Sequence, residues 1–383
     1  MKKIFLQFFV LAVIVLIVVS PRPSTVLSGD SSKHIESYMN DTARKITLLF
    51  VGDVMQHGPQ IRAAYNPETD TYNYTDCFQY VKPYISKANI AIANFEVTLA
   101  GKPYAGYPVF SAPDELANEL KNVGFDLLIT ANNHCLDRGK NGLEKTISKL
   151  DNLGIYHTGT FVNDTFRKQN YPFVLLKDGF KLAFLNYTFG TNGIEVDAPN
   201  VVNYIDKKQI ENDLLKAKLQ NPDFVIVTMH WGVEYQRKQN QEQEDLAKFC
   251  FENGADLIIG MHPHVVQPIE TISYICQNAK KEGVVYYSLG NYVSNQRAQY
   301  KDGGIMAEIE LTKNMKSKQT KLSKNTYIPV WVYKQEMPSD TNFMILPSEN
   351  YQEYVTKFNM SEKDKSDFKQ FISDTKELLE ENK

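Results

Sequence analysis

Short apolar runs alternate with polar turns and amphipathic segments along this chain, and five of the runs end in a polar motif. The runs are rich in β-branched residues and short, which is typical of buried strands. Each run stops at a side chain that can bind a metal ion: residues 46–51 before Gly52-Asp53, 90–93 before Asn94-Phe95-Glu96, 125–130 before Asn132-Asn133-His134, 224–229 before His230, and 255–259 before His262-Pro263-His264. Because ligands in layered α/β proteins gather at the carboxyl ends of strands, the five motifs predict one shared polar site.

Amphipathic segments between these runs predict helices. Apolar residues recur at helical spacing in four segments: residues 114–123, 142–153, 207–219 and 242–253. Three ligand-bearing runs follow such a helix, which is the rhythm of a largely parallel sheet. Two other pairs of apolar runs are typical of antiparallel strands or hairpins: residues 173–176 with 181–186, and 284–288 with 304–311. The pattern as a whole predicts the α/β (α+β) class.

The N-terminus has the pattern of a membrane-targeting segment. Lys2 and Lys3 precede an apolar run over residues 4–19, which Pro21 and Pro23 end. Basic residues before such a run predict a signal-anchor with its N-terminus inside the cell, over residues 1–20. The rest of the chain is then held on the extracytoplasmic side of the cell membrane by a single pass. Removal of the segment as a signal peptide, with secretion of the chain, is the alternative.

The remaining chain divides into a linker, a core domain and a tail. Residues 21–44 are polar and predict a linker from the membrane. The motif-bearing segments predict a core domain over residues 45–340. Residues 341–383 are charged and helix-prone, and predict a helical tail that packs loosely on the surface or is partly mobile.

Composition and cysteine content add two constraints. The formal net charge of −3 gives no sign of a nucleic-acid-binding surface, which would usually be basic. Four cysteines permit disulfides outside the cytoplasm: Cys77, Cys135, Cys250 and Cys276. For Cys250 and Cys276, burial as small apolar side chains is the preferred interpretation.

The side chains at the five strand ends form the donor set of a transition-metal site. Carboxylate and amide oxygens and imidazole nitrogens are all present: Asp53, Glu96, Asn133, His230, His262 and His264. This mixture suits Mn, Fe or Zn better than Ca or Mg, which prefer oxygen alone. Six donors are too many for one open tetrahedral site. They suit two ions that share a bridging carboxylate, a recurrent arrangement for in-line displacement at phosphorus.

Each motif alone has a structural alternative, because Asp after Gly and Asn after a strand are common in turns. His262 and His264 are a stronger signal, since two histidines one residue apart project to the same side of an extended segment, which Pro263 helps to hold. The ordered conjunction of five motifs carries the prediction. The other histidines are interpreted as linker, loop or surface residues: His34, His57 and His157.

The ordered motifs resemble those of two nested families. Gly-Asp, a second acidic motif, Asn-His, a lone His and Gly-x-His-x-His, in this order, are similar to the calcineurin-like metallophosphoesterase superfamily. Six strings more closely resemble the bacterial capsule-synthesis family CapA, also called the poly-γ-glutamate capsule biosynthesis family: Gly52-Asp-Val-Met55, Asn94-Phe-Glu96, Ala131-Asn-Asn-His134, His230-Trp-Gly-Val-Glu234, His262-Pro-His264 and Ser288-Leu-Gly-Asn291. The resemblance covers roughly residues 45–335.

The resemblance implies a four-layer αββα sandwich of the metallo-dependent phosphatase type, with the site at the strand ends. It implies two ion sites: one with Asp53 and His264, the other with Asn133, His230 and His262, and Glu96 as the bridge. The sequence departs from the broad superfamily at Met55, where a histidine is usual, and at Glu96, where aspartate is usual. The site is therefore expected to hold one or two ions.

Further roles are implied for residues around the ions. His134 would be the catalytic residue, which faces the substrate and steadies the phosphoryl oxygens or protonates the leaving group. Glu234, Asn291 and Asp137 would support the ligands from behind.

These inferences predict a membrane-anchored, extracytoplasmic protein of capsule (poly-γ-glutamate) biosynthesis with a metal-dependent phosphoesterase-like hydrolase site. Its expected partners are the membrane, membrane-embedded polymer synthase or export subunits, and an acidic polymer or phosphoester substrate, with no nucleic acid. One alternative is a non-catalytic accessory subunit of a polyglutamate synthesis or export complex, which the methionine at position 55 favours. Another is a secreted nucleotidase or phosphodiesterase, which would need an aromatic clamp for a base.

Overall fold

The computed structural model describes residues 43–276, 279–337 and 340–381. The predicted membrane segment and residues 21–42 of the predicted linker lie outside the described residues. Residues 43 and 44, predicted as the end of the linker, belong to the first strand. Within the described ranges, no helix has the length and apolar character needed to cross a membrane.

The larger sheet is built around a first strand that is buried on both faces. Its eight strands lie in the order β18 (Asp340–Pro347), β17 (Thr320–Met337), β16 (Gly303–Asn314), β1 (Ala43–Val54), β4 (Ile90–Phe95), β5 (Leu127–Ile129) and β6 (Tyr156–Thr158), with β15 (Asn291–Val293) paired to β1. Side chains of a strand alternate between the two faces of its sheet. In β1, Leu48 and Phe50 therefore face one apolar cluster, while Leu49 and Val51 face another.

The smaller sheet has six strands and a parallel centre. Its order is β13 (Ile269–Cys276), β14 (Ala279–Tyr286), β12 (Leu257–Met261), β11 (Phe224–His230), β9 (Phe180–Thr188) and β8 (Phe173–Lys177). The central four strands are parallel, and β13 and β8 pair antiparallel at the two edges. Two small ribbons complete the strands: β2 (Tyr65–Asn66) with β3 (Thr71–Tyr72), and β7 (Thr160–Phe161) with β10 (Val201–Val202).

Helices cover the outer faces of both sheets, except the last two, which pack on the other face of the larger sheet at β17 and β18. In chain order they are α1 (Gly58–Ala64), α2 (Thr75–Phe78), α3 (Lys82–Lys87), α4 (Asp114–Val123), α5 (Gly139–Leu153), α6 (Asp164–Asn170), α7 (Lys207–Leu219), α8 (Gln241–Glu252), α9 (Tyr351–Lys357) and α10 (Glu362–Glu380). Apolar residues of α1 to α5 pack on the larger sheet, and those of α7 and α8 on the smaller one. The sheets pack on each other through a third cluster. The α/β class is confirmed, with two sheets between two groups of helices.

The strand and helix predictions are confirmed where the chain follows one clear period. The five ligand-bearing runs lie in or overlap β1, β4, β5, β11 and β12, and α4 and α7 have the predicted bounds. The runs 284–288 and 304–311 do not form a hairpin, because they lie in different sheets. The alternative of antiparallel strands is confirmed, since β14 pairs antiparallel with β13, and β16 with β1 and β17. Strands β13, β17 and β18 were not predicted.

The C-terminal region is more tightly integrated than a loose tail. The predicted boundary at residue 340 falls inside the β17–β18 hairpin, whose second strand buries Phe343 and Ile345 on one face and Met344 and Leu346 on the other. Helix α10 buries apolar residues at helical spacing, among them Phe368. The expectation of a loose tail was based on the charge of this region. It was wrong because apolar side chains alternate with the charged ones and are buried.

All four cysteines lie in the described part of the chain. Each is buried, and none of them forms a disulfide there. Cys250 belongs to the apolar cluster between the smaller sheet and its helices, as does Cys276. This agrees with the interpretation of these two residues as small apolar side chains.

Candidate metal centre

The predicted donors meet where the two sheets end side by side. Oxygen donors come from the larger sheet: Asp53 in β1, Glu96 after β4 and Asn133 after β5. Nitrogen donors come from the smaller sheet: His230 at the end of β11, and His262 and His264 after β12. All six side chains are buried, between 0% and 4% exposed. Packing of the two sheets thus brings the oxygen donors of one sheet together with the nitrogen donors of the other.

Gly52 explains how β1 delivers Asp53 to this place. The Asp53 N–H donates to the carbonyl oxygen of Gly290 at 3.1 Å. A Cβ atom at residue 52 would lie 1.9 Å from the same oxygen, which no side chain tolerates. The glycine before the aspartate is therefore required by a close backbone approach.

Donor atoms lie at the spacings of shared coordination shells. The Asp53 Oδ2 and His264 Nδ1 atoms are 3.0 Å apart, and the Asn133 Oδ1 and His230 Nε2 atoms are 2.7 Å apart. Neighbouring ligands about 2.1 Å from one ion lie roughly 3 Å from each other. Ligand atoms of Asp53, Glu96 and His264 fall within 4.8 Å of one another, as do those of Glu96, His230 and His262. Glu96 belongs to both groups, which is the position of the predicted bridge.

The two histidines after β12 reach the site by a different backbone path from the one predicted. An extended segment was expected, but His262 has φ of 99° and His264 has φ of 59°. Both lie in the left-handed region, which is unfavourable for side chains with a Cβ and is found at functional sites when the surroundings enforce it. The prediction of extended backbone is wrong, although the ring centroids still converge to 5.9 Å.

Burial and mutual repulsion set the protonation of these groups. Burial, followed by repulsion from Asp53, raises the pKa of Glu96 well above its ordinary value. Burial raises the pKa of Asp53 as well, but the hydrogen bond and charge of His264 outweigh it and the net pKa is lowered. Burial lowers the pKa of His230 well below normal and that of His262 to about 3. Neutral imidazole is the form that binds a metal.

Two buried donor atoms form no hydrogen bond, although the Glu96 Oε1 atom lies 3.5 Å from the Nε2 atom of His230. Glu96 is fully buried, and its Oε1 atom accepts no hydrogen bond. The Nδ1 atom of His262 also has no hydrogen-bond partner. Buried polar atoms are almost always paired, so unpaired ones need an explanation such as an ion. The donor set and its unpaired atoms fit a divalent transition metal.

His134 is supported in the way a catalytic histidine requires. Its Nδ1 atom lies 2.8 Å from the Asp137 carboxylate, which also accepts the Phe110 N–H at 2.7 Å. The Phe110 ring packs edge-on against His134, with ring centroids 4.6 Å apart. Asp137 therefore lies behind the histidine and fixes the orientation of the ring.

The two other predicted supports differ in position. The Asn291 side-chain amide donates to the carbonyl oxygens of His264 and Lys301, and so holds the backbone of a donor residue. Glu234, by contrast, lies with its carboxylate within 4.8 Å of ring nitrogens of His262 and His264. It stands beside these donors rather than behind them.

Three asparagines around the donors were not assigned from the sequence. The Asn94 amide donates to Asp53 at 2.7 Å and to Glu96 at 3.3 Å, and Asn132 donates to the Asn94 oxygen. Asn192, in the loop after β9, contacts both Asn133 and His134. Asn94 and Asn132 stand inside the quoted motifs, and Asn192 follows a further parallel strand, so position at a strand end was the available signal.

His57 and Met55 complete the surroundings of the site. His57 lies in the loop before α1, as one of the predicted alternatives has it, but its ring is largely buried and packs edge-on against Phe110, with ring centroids 5.5 Å apart. Burial lowers its pKa to about 4, and its Nδ1 accepts the Asn295 N–H. No donor group among the described residues includes it. Met55 is buried in the apolar cluster below the larger sheet and supplies no donor.

Comparisons with known proteins identify the family. Residues 47–296 match the family described as bacterial capsule synthesis protein PGA_cap. The chain is 30% identical over 263 residues to the capsule biosynthesis protein CapA of Bacillus anthracis, covering 66% of this chain and 60% of the relative. It is 28% identical over 294 residues to the PGA biosynthesis protein CapA of Bacillus subtilis (strain 168), covering 73% and 70%. The chain therefore belongs to the PGA_cap family, and it spans 60% and 70% of these two relatives.

Similar solved structures include phosphoesterases and a nucleotidase. The calcineurin-like phosphoesterase YfkN of Bacillus subtilis matches with a TM-score of 0.44 and 14% identity, covering 83% of this chain and 97% of that one. The NAD nucleotidase NadN of Haemophilus influenzae matches with a TM-score of 0.46 and 12% identity, covering 88% and 60%. With TM-scores below 0.5, the family assignment rests on the sequence matches.

Proposed function

We propose that this chain is a membrane-anchored, extracytoplasmic protein of poly-γ-glutamate capsule biosynthesis with a metal-dependent phosphoesterase-like hydrolase site. Membership of the capsule synthesis family supports the process. The chemistry is supported by one observation above all: six buried donors converge, and the fully buried Glu96 keeps an unpaired oxygen between the two groups. Burying such groups without a cation is costly, so their convergence favours ion binding.

The proposed chemistry assigns separate tasks to the residues. Asp53, Glu96 and His264 would hold one ion, and Asn133, His230 and His262 the other, with Glu96 shared. When bound, such ions supply Lewis-acid stabilisation of the negative charge that develops on phosphoryl oxygens.

His134 would act on the substrate itself. Because its Nδ1 atom is paired with Asp137, its Nε2 atom is the nitrogen left for a phosphoryl oxygen or a leaving group. A positioned histidine of this kind contributes by general acid–base catalysis and by hydrogen bonding to the reacting group.

The proposal extends to place and partners. The apolar N-terminal run would anchor the chain in the cell membrane and leave the described domain on the extracytoplasmic side. Membrane-embedded polymer synthase or export subunits would be its partners, and an acidic polymer or a phosphoester its substrate.

The test uses the full chain, purified in detergent without chelator. We expect at least one Mn, Fe or Zn ion per chain by elemental analysis, and turnover of a phosphomonoester or phosphodiester from a small panel. The His134→Ala variant should keep its metal and lose roughly 10²- to 10⁴-fold in turnover, the usual contribution of a positioned acid or base. Its matched control is His157→Ala, because His157 also pairs with an aspartate, Asp151, but outside the site.

The outcomes separate the proposal from its rival. Metal content well below one ion per chain would overturn the metal site. Bound metal without turnover of any panel substrate, together with unchanged polymer production in cells carrying His134→Ala, would replace the hydrolase by a non-catalytic accessory subunit. The buried Met55, which supplies no donor where a histidine is usual, is the observation that favours this rival.

A further inference from the structure

We propose that Glu234 is a further metal ligand, whose carboxylate closes the ion site on the side of His262 and His264. The inference rests on the proposed metal-dependent function and adds a donor to it. It concerns a residue that the sequence suggested only as a support behind the ligands.

The donor count leaves room for this residue. The group of Asp53, Glu96 and His264 offers three ligands, and one of them is shared with the second group. Divalent transition metals in mixed oxygen and nitrogen sites take at least four ligands. Met55 points into the apolar cluster, so β1 supplies no second donor after Asp53. A charged oxygen from another element is the missing kind of group.

Glu234 is the described residue in the position to supply it. Among the described residues, three groups of histidine, cysteine or acidic side chains converge within 4.8 Å. Two contain Glu96, and the third consists of Glu234, His262 and His264. The third group shares a histidine with each of the other two. The Glu234 carboxylate therefore lies close to one histidine of each proposed ion site.

The loop that carries Glu234 is fixed to the segment that carries the histidines. The Trp231 N–H donates to Met261, and the Tyr235 N–H donates to Pro263 at 2.7 Å. Hydrogen bonds on both sides of Glu234 thus tie its loop to the residues that flank His262. A ligand held by its backbone in this way loses little freedom when it binds an ion.

Other residues of the loop fix its backbone conformation. Gly232 has φ of +87°, and a Cβ there would lie 2.8 Å from the Gln243 side chain. Gln243 in turn donates to Gln267 at 2.9 Å, and the fully buried Gln267 donates to the carbonyl of Gln236. The buried side-chain amides of Gln243 and Gln267 thus hold the loop that places the Glu234 carboxylate beside two imidazoles.

Charge gives a second reason for an ion at this place. The Asp53 and Glu96 carboxylates lie within 4.8 Å of each other and of a His264 ring nitrogen, and the Glu234 carboxylate lies within 4.8 Å of the same ring. These three carboxylates repel one another unless a cation lies between them. A divalent cation relieves all three interactions at once.

The experiment titrates Mn²⁺ into the metal-free full chain and measures affinity by calorimetry and coordination by electron paramagnetic resonance. Glu234→Gln keeps the shape and removes the charge. We expect it to weaken Mn²⁺ binding by more than about 100-fold, beyond the 10- to 100-fold that loss of a group behind a ligand costs. Glu234→His should recover at least a tenth of the lost affinity with an altered spectrum, because imidazole is also a ligand.

Glu270→Gln is the matched control, since Glu270 is a partly buried carboxylate that bonds Gln239 outside the site. Its Mn²⁺ affinity should equal that of the wild type. Unchanged affinity and spectrum in Glu234→Gln, with a wild type that binds Mn²⁺, would overturn this inference alone. A wild type that binds no Mn²⁺ would overturn both this inference and the proposed function. A moderate loss that Glu234→His does not recover would leave Glu234 a support and also overturn the inference.

Discussion

The parallel strands carry Asp and Asn side chains near both of their ends, and the two ends use them in opposite ways. At the amino ends, each such side chain accepts a backbone N–H of the neighbouring strand. At the carboxyl ends, the corresponding side chains contact one another and the other side chains of the site. The two ends belong to the same strands and differ only in what their polar groups contact.

At the amino ends, one arrangement occurs four times. A residue directly before a parallel strand exchanges two hydrogen bonds with one residue of the neighbouring strand: its N–H donates to that residue's carbonyl, and its side chain accepts that residue's N–H. The pairs are Asn89 with Thr47, Asp126 with Ala91, Asp223 with Lys181, and Asp256 with Val225. These side chains fix where neighbouring strands begin.

At the carboxyl ends, Asp and Asn pair with side chains of the site, and a glutamate and a histidine beside them keep unpaired atoms. Asp53 accepts a hydrogen bond from Asn94 and pairs with His264, but Glu96 keeps a buried oxygen without a hydrogen bond, as His262 keeps its Nδ1 atom. An unpaired buried polar atom costs about 1–3 kcal/mol of folding free energy. The hydrogen bonds at the amino ends avoid this cost, whereas the carboxyl ends keep unpaired donor atoms that a ligand can bind. The difference marks the carboxyl ends as the functional side.

Removal of the Glu96 charge should have the largest effect of the three changes, and this effect should be a loss of metal affinity. In Glu96→Gln we expect Mn²⁺ affinity to fall more than about 100-fold, because the shared carboxylate is lost. Wild type at 100 times its Kd should gain about 2.7 kcal/mol of unfolding free energy from Mn²⁺, and the variant almost none. Without metal the variant should be at least as stable as the wild type, because burial and Asp53 disfavour the charge. Urea unfolding with and without Mn²⁺ checks both, and an unchanged gain contradicts the comparison.

At the opposite end, Asp256→Asn should change stability with pH and leave metal affinity unaltered. Burial raises the pKa of Asp256 from 3.8 to about 6 in the folded chain. Between these values the folded state binds more protons than the unfolded chain, so stability falls as pH rises. Asparagine keeps the acceptor for the Val225 N–H without the charge. The variant should therefore be more stable than the wild type by roughly 2–3 kcal/mol at pH 7, and the difference should vanish near pH 4. A stability difference between variant and wild type that stays constant from pH 4 to pH 7 would contradict this prediction.

The smallest effect is expected from Asp126→Ala, which removes one of the paired side chains. The N–H of the buried Ala91 loses its acceptor, and we expect unfolding free energy to fall by about 1 kcal/mol. Asp126→Asn retains an acceptor and should recover most of the loss. Urea unfolding measures both variants. A reduced Mn²⁺ affinity in either one would show that the two ends are not independent.

The sequence predicted the carboxyl ends better than the amino ends. Asp53, Glu96 and His230 could be recognised because each follows an apolar run and belongs to an ordered set of five such motifs. Asn89 and Asp256 precede their strands equally regularly, but Asp and Asn before a strand are ordinary turn residues. Their pairing depends on which strand lies alongside, which spacing along the chain does not give.

Backbone conformation and side-chain partners were also beyond the sequence. His262 and His264 were predicted on an extended segment, yet both have positive φ, because the surrounding contacts rather than local preference set their backbone. Asn94 was quoted within a motif but not assigned, since its two contacts, with Asp53 and Glu96, come from neighbouring strands.

The sequence by itself determined the residue types of the site, the strands that end in them and the two periods that make the chain an α/β protein. These properties are local, because a side chain's chemistry and the period of its element are fixed by near neighbours. Only the tertiary structure decided that oxygen donors come from one sheet and nitrogen donors from the other, and that Glu234 stands beside His262 and His264. The physical reason is that packing of the two sheets brings together loops far apart in the chain, and that packing depends on the whole core rather than on any motif.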